Sequence, residues 1–244
     1  MNSFNQEYTT IWSFKERGQW ATHKGDYPGN CSPYVVKNLL IKYSHKDDVV
    51  LDQFVGSGTT VIESLLLNRK AIGVDINEKA LSITKSRIKD IDGKYKLIKG
   101  DATKLKLQDK SVDFICTHPP YMDIIKYSNG INGDISLLNG EEFYNSIKLV
   151  AKESFRVLKE KSYCAVLIGD IRKNGFIIPL GFNVMKLFLN ENFSLKEIII
   201  KEQHNCKSTD KWKNISKERK FYLIAHEYLF IFRKDNIKNI GKFT

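Results

Sequence analysis

Residues that staple or interrupt a fold are scarce. The 244 residues include four cysteines and five prolines. Cys31, Cys116, Cys164 and Cys206 lie far apart without C-x-x-C spacing, and two of them sit in apolar, strand-like runs. This excludes a disulfide framework as the organising principle and fits free thiols in a reduced, cytoplasmic setting. His204 and Cys206 lack the second clustered pair that a structural metal site needs. No apolar run approaches the ~18 residues that a membrane span requires. The polar start Met1-Asn2-Ser3-Phe4-Asn5-Gln6 does not read as a signal peptide. Internal repeats and low-complexity linkers are also missing, which leaves one well-buried α/β domain as the expectation.

What is abundant is positive charge. The formal net charge is +11, with 42% hydrophobic residues. Such an excess favours a polyanionic partner, although a composition rich in Lys, Ile and Asn produces the same excess with no partner involved.

Taken in order, residues 1–32 are irregular and aromatic, with Trp12, Phe14, Trp20 and Tyr27. They are expected to pack as a segment onto a domain covering 33–244. Ser32-Pro33 has the cap and first-turn chemistry of a helix running to about Tyr43. Strands are expected over Asp48–Leu51, Ala71–Asp75, Tyr95–Lys99, Ser111–Cys116 and Tyr163–Gly169. Helices are expected after the first strand, over Glu78–Asp90, Glu141–Leu158 and Pro179–Leu189. Two last strands, Phe193–Lys201 and Phe221–Arg233, are joined by the polar stretch 203–220 and should pair antiparallel. The alternation predicts a single doubly wound, mostly parallel seven-stranded sheet with a C-terminal antiparallel pair.

Three strand ends carry the chemistry. Asp52-Gln53-Phe54-Val55-Gly56-Ser57-Gly58-Thr59-Thr60 follows the first strand. Its glycines allow a tight turn and close backbone approach, and the helix N-terminus behind it faces a carboxylate or phosphate. It is neither a P-loop nor G-x-G-x-x-G. Asp75 closes the second strand, where an acid takes ribose hydroxyls in doubly wound folds. Asp101 closes the third and is placed to accept from an adenine amino group. After the fourth strand comes Thr117-His118-Pro119-Pro120-Tyr121. Two prolines cannot continue a ladder, so the chain leaves the sheet there, with rigid carbonyl acceptors and an aromatic ring in sequence.

The Asp52–Thr60 segment resembles the S-adenosylmethionine loop of bacterial DNA amino-methyltransferases, the enzymes that modify adenine N6 or cytosine N4. Thr117–Tyr121 resembles their [DNS]-P-P-[YFW] catalytic motif. The likeness extends over nearly the whole chain, with the cofactor motif preceding the catalytic one. It implies a Rossmann-like methyltransferase domain and S-adenosylmethionine as cofactor. It places Asp52, Phe54, Gly56, Gly58 and Thr59 at the methionine end, Asp75 at the ribose and Asp101 at the adenine. The segment from Tyr27-Pro28 through Ser32-Pro33 would close over the methionine moiety, Thr117 would border the cofactor, and His118, Pro119, Pro120 and Tyr121 would hold the target base. Gln53 stands where proline is common, and His118 stands where Asp, Asn or Ser is usual.

An exocyclic amino group is a poor nucleophile because its lone pair delocalises into the ring. Accepting both of its hydrogens frees that lone pair. The family reading gives this task to the residue before Pro-Pro and to the Pro119 carbonyl. A neutral imidazole has one acceptor nitrogen and an imidazolium none, so His118 must be neutral to take part. The alternative is a His118 side chain that faces away, leaving the Pro119 carbonyl to act with another group. The target base must be flipped out of a duplex, with Tyr121 stacking on it. Lys207, Lys211, Trp212 and Lys213 in the 203–220 stretch are the expected phosphate and wedge contacts. No segment is long enough for a separate target-recognition domain, so recognition falls to loops, to a second copy, or to a separate specificity subunit. The same chemistry on RNA, or a non-catalytic nucleic-acid-binding subunit, are the rival functions.

Overall fold

The computed structural model describes residues 4–204 and 209–235. Its elements are β1 (Ile11–Trp12), α1 (Pro33–Tyr43), β2 (Val49–Asp52), α2 (Thr59–Leu66), β3 (Lys70–Asp75), α3 (Glu78–Ile88), β4 (Tyr95–Lys99) and β5 (Val112–Thr117). They continue with α4 (Gly140–Val157), β6 (Leu158–Ile168), β7 (Ile171–Lys173), β8 (Phe176–Ile178), α5 (Leu180–Asn190), β9 (Ser194–Glu202), α6 (Thr209–Arg219) and β10 (His226–Arg233). Single 3-10 turns lie at Met122–Ile124 and Ile135–Leu137.

The main sheet has the order β1-β9-β10-β6-β5-β2-β3-β4. From β6 to β4 every pairing is parallel, whereas β10 runs antiparallel to both β6 and β9. The chain lays down β2, β3 and β4 outward in one direction and then returns to place β5 on the other side of β2. The carboxyl ends of β2 and β5 therefore diverge at a switch point, which opens a crevice between the loops that leave them. Side chains fill both faces. Phe143, Ile147 and Phe188 from α4 and α5 pack with Phe230 and Phe232 on one face, while Leu39 and Leu40 of α1 pack with Phe114 and Ile231 on the other. All but Phe188, at 1%, have no exposed surface.

The seven expected strands are present, and three features were not expected. The first is β1, whose residues 11 and 12 pair in parallel with Ile200 and Lys201. Trp12 is buried, with its indole donating to the Thr9 carbonyl. The second is α6, which stands where a loop was expected between β9 and β10. It has no buried residue, so no apolar period announces it. Asp210 in its first turn and Lys217 and Arg219 in its last suit the helix dipole. The last strand accordingly begins at His226 rather than Phe221. The third is the β7–β8 hairpin, which forms a separate two-stranded sheet. Lys207 and Cys206 lie outside the described residues. Among the described residues no helix is long and apolar enough to cross a membrane.

Candidate active site

The carboxyl ends of β2, β3, β4 and β5 bring Asp52, Asp75, Asp101 and Thr117-His118 to the rim of one cavity of about 1000 Å³, part of it open to solvent. The glycine loop forms its floor. Gly58 stands at φ +89°, and a Cβ there would lie 2.7 Å from the Thr84 methyl group. Gly58 does not line the cavity, and its role is to seat the loop against α3. Gly56, Phe54 and Thr59 do line it.

The three acids differ in their surroundings. Asp52 is buried, and its Oδ1 accepts from the Phe54 amide (3.1 Å) and the Thr117 hydroxyl (3.3 Å). Burial pushes its carboxyl up to about 6, against hydrogen bonds from Thr60, Phe54 and Thr117 that favour the anion. Asp75 accepts from the Gly56 amide (3.0 Å) through one oxygen and the Asn77 amide (2.9 Å) through the other. Burial raises its pKa too, with those amides opposing. Asp101 holds the amide and hydroxyl of Thr103 on Oδ1 (2.8 and 2.7 Å). Its Oδ2 would lie 3.3 Å from a Cβ at Gly133.

Gly133 belongs to a wall that sequence reasoning treated only as a polar separator. Between Asp123 and Gly140 the chain folds back over the cavity, contributing Tyr127, Gly133, Asp134 and Ile135. The Tyr127 ring stacks on Tyr27 at 6.0 Å between centroids. Its carbonyl accepts from the Asn77 side chain (2.7 Å). Gly29, at φ +66°, leaves room for the Tyr127 hydroxyl, which a side chain there would overlap. Pro28, Gly29, Asn30 and Cys31 join Tyr27 in lining the cavity, whereas Ser32 and Pro33 do not. The Ser32 hydroxyl donates instead to the Arg17 carbonyl (2.9 Å), and Pro33 begins α1.

Of the five residues at the β5 corner, Thr117, His118 and Pro120 line the cavity, while Pro119 and Tyr121 do not. Tyr121 turns its ring against Gly169, where a Cβ would come within 3.2 Å of it. Its hydroxyl donates to Glu227 Oε1 at 2.6 Å and lies 3.0 Å from His118 Nε2. Glu227 Oε2 accepts from Lys201 at 2.8 Å. Glu227 and Lys201 are cross-strand partners on β10 and β9. Glu227 falls within the expected strand Phe221–Arg233, and no site role was expected of it. Its signal was a lone carboxylate heading an apolar strand.

Burial lowers the His118 pKa, as does Lys201; Glu227 and a hydrogen bond to the Gly29 carbonyl act the other way. The ring at the corner is thus held in its neutral form. Burial would raise the Glu227 pKa, but the Lys201 charge, with hydrogen bonds from Lys201 and Tyr121, brings it below the usual glutamate value. The Tyr121 hydroxyl donates to Glu227, and His118 Nε2 stands within hydrogen-bond distance of the same hydroxyl oxygen.

The expected nucleic-acid contacts stand apart from this cavity. Lys211, Trp212 and Lys213 are exposed on α6, with Lys213 3.2 Å from Asp210.

A glycine loop, three carboxylates at successive strand ends and a pair of stacked tyrosines across the mouth define a nucleoside-cofactor site in a doubly wound sheet. Residues 44–227 match the family model described as a methyltransferase domain, and the chain belongs to that family. Residues 1–86 match the model described as DNA methylase, which upholds the resemblance to DNA amino-methyltransferases seen in the sequence. The Type II methyltransferase M2.MboI of Moraxella bovis is 31% identical over 87 residues, 36% of this chain and 32% of that relative. A tRNA (guanine(10)-N2)-dimethyltransferase of Methanothermobacter thermautotrophicus is 33% identical over 97 residues, 39% of this chain and 29% of that relative. These matches span about a third of the relatives' length. A solved S-adenosylmethionine-dependent methyltransferase from Methanosarcina mazei superposes with a TM-score of 0.56 at 16% identity, covering 80% of this chain and 96% of that one. The [4+2]-cyclase SpnF superposes equally well, at 0.57 and 11% identity over 84% of this chain and 82% of its own. The fold alone therefore does not specify the reaction. S-adenosylmethionine is the cofactor that the family and fold imply, and the acids, glycines and aromatic walls of the cavity suit it.

Proposed function

We propose that the chain methylates an exocyclic amino group of a base in duplex DNA, either cytosine N4 or adenine N6. The observation that carries this reading is the shared cavity, into which Thr117, His118 and Pro120 and all three strand-end acids open. Asp75 would hold the ribose and Asp101 the adenine. Asp52, with Phe54, Gly56 and Thr59, would receive the methionine end, and the Tyr27–Tyr127 stack would close the mouth. When bound, the cofactor supplies an electrophilic methyl group on a sulfonium and leaves as a neutral thioether.

The target amino group needs two acceptors. Neutral His118 has one acceptor nitrogen to take one amino hydrogen. The Pro119 carbonyl takes the other, as the family resemblance implies. Tyr121 then serves chiefly to hold His118, in place of the stacking role expected for it. A base inside a helix cannot reach this corner and must be flipped out. A second copy or a separate specificity subunit would complete sequence recognition.

Transfer of labelled methyl from S-adenosylmethionine, followed by mass spectrometry of the nucleosides, tests the reading. N4-methylcytosine or N6-methyladenine in duplex DNA is the expected product. Methylation of tRNA alone would favour the RNA reading, which the similarity to tRNA guanine-N2 methyltransferases supports. No transfer to either would leave a non-catalytic nucleic-acid-binding subunit.

A further inference from the structure

The β7–β8 hairpin has no part in the cavity, yet it is built with care. Ile171, Arg172 and Lys173 pair with Ile178, Ile177 and Phe176. Asn174 and Gly175 form the turn at φ +52° and +86°, the double left-handed pattern of a tight hairpin. Arg172 donates to the Gly175 carbonyl (2.8 Å) and to the Tyr222 carbonyl (3.1 Å), and its guanidinium lies 4.8 Å from the centre of the Phe221 ring. Lys173 reaches Asp123 (2.8 Å), just beyond the catalytic corner. The hairpin is thus fastened on one side to the segment leaving α6 and on the other to the segment leaving Tyr121.

Its turn is polar, and the strand that leaves the turn exposes apolar side chains. Phe176 is 78% exposed and the adjoining Tyr222 is 94% exposed. Phe176, Ile177 and Tyr222 all expose apolar surface on or beside the braced arm, and exposed apolar surface rimmed by charge marks a place where a partner is met. The neighbouring surface says what that is. From residue 209 to residue 220, α6 and the residue after it carry five basic residues against two acidic ones, and no residue of α6 is buried. Such charge beside an exposed ring complements phosphates flanking a base stack.

We propose that the β7–β8 hairpin is a wedge that inserts Phe176 into a DNA duplex beside the target base, while α6 rests on the adjacent phosphates. The inference deepens the proposed function and rests on its flipped-base reading. β6, which feeds the hairpin, is the direct neighbour of β5, which ends at Thr117. The ring therefore stands on the same edge of the sheet as the corner that would receive the base. Filling the vacated stack removes the main force returning the base to the helix.

The test needs neither cofactor nor knowledge of the recognition sequence. Binding of the full chain to fluorescein-labelled random-sequence duplex DNA is compared with binding to the same duplex carrying one abasic site, where the gap is already open. The native protein should prefer the abasic duplex by roughly tenfold or more, as base–aromatic stacking energies allow. Phe176→Ala should abolish that preference and Phe176→Trp should keep it. Phe176 is exposed, and unchanged circular dichroism of the alanine variant would show that the loss is not one of folding. A benzoylphenylalanine at position 176 should crosslink to DNA, while one at Tyr95 on the far edge strand should not. An alanine variant with the native preference, or crosslinks only to a second copy of the chain, would overturn the wedge. A chain that crosslinks as expected but transfers no methyl group would sink the enzymatic reading and leave the wedge standing.

Discussion

The Asp52 carboxylate is an unstable object to keep in a protein, and Asp52→Asn measures its cost. Its folded-state pKa is pushed up to about 6, against ~3.9 for an unstructured aspartate. Two units at ~1.36 kcal/mol each give about 3 kcal/mol of destabilisation once the group is ionised in both states. The folded state binds the extra proton between these values, so this contribution is absent below pH ~4 and falls fully on the native state above pH ~6. Asparagine keeps an oxygen to accept from the Phe54 amide and the Thr117 hydroxyl. The preference of those bonds for the anion is already contained in the net shift. Urea unfolding of the cofactor-free protein should therefore show Asp52→Asn more stable by about 3 kcal/mol near neutral pH, with the gain vanishing toward pH ~4. Affinity for S-adenosylmethionine, read by calorimetry, should fall in the same variant, the usual opposition of stability and function at a site. A difference in unfolding free energy that is the same at neutral and acid pH would refute the reasoning, because it would mean that no ionisation cost is stored at Asp52.

Glu227→Gln removes the anion that supports protonation of His118, leaving burial and Lys201 to oppose it. In a titration of the histidine ring resonances, His118 should titrate below the ordinary ~6.5 in the native protein and lower still in the variant; an upward shift would remove Glu227 from the network. Because the folded pKa is depressed, this group's contribution to stability is intact above pH ~6.5 and is lost as the pH falls toward the folded value. Gly29→Ala must adopt φ +66° and displace the Tyr127 hydroxyl. It should cost about 1–2 kcal/mol of stability and weaken cofactor binding more than it slows turnover, as seen by calorimetry and a KM-against-kcat comparison. Reversing charge at Lys211 and Lys213 should weaken binding to intact and abasic duplexes alike and flatten the salt dependence. An unchanged salt slope would take α6 off the phosphates.

The parallel half of the fold was legible because its strands are short apolar runs that each stop at an acid, a glycine or a proline. Asp52, Asp75, Asp101 and Thr117 could be placed at one edge of a sheet from order alone. What stayed hidden follows from the same logic. β1 is two residues long, too short for any period, and is specified by a tryptophan that must be buried. α6 buries nothing, so its sequence holds only local propensity. The Tyr27–Tyr127 stack and the Tyr121–Glu227 bond join residues 100 or more positions apart. Their existence depends on loop closure and strand register, which composition does not encode. Phe176 was read past because an apolar residue beside Asn-Gly looks like any strand end; only its exposure sets it apart.

The position of β10 has a consequence for how the protein comes into being. It is the last described strand to be synthesised, yet it lies between β6 and β9. Glu227, which fixes Tyr121 and through it His118, arrives with it. A chain emerging from the ribosome can close the acids of β2, β3 and β4 around a nucleoside long before this strand slots in. During that interval β6 is the edge of the parallel sheet and the β5 corner lacks its carboxylate. Nascent and prematurely ended chains would thus have the acid-lined crevice without the Glu227–Tyr121 contact, which is made in the same event that completes the sheet.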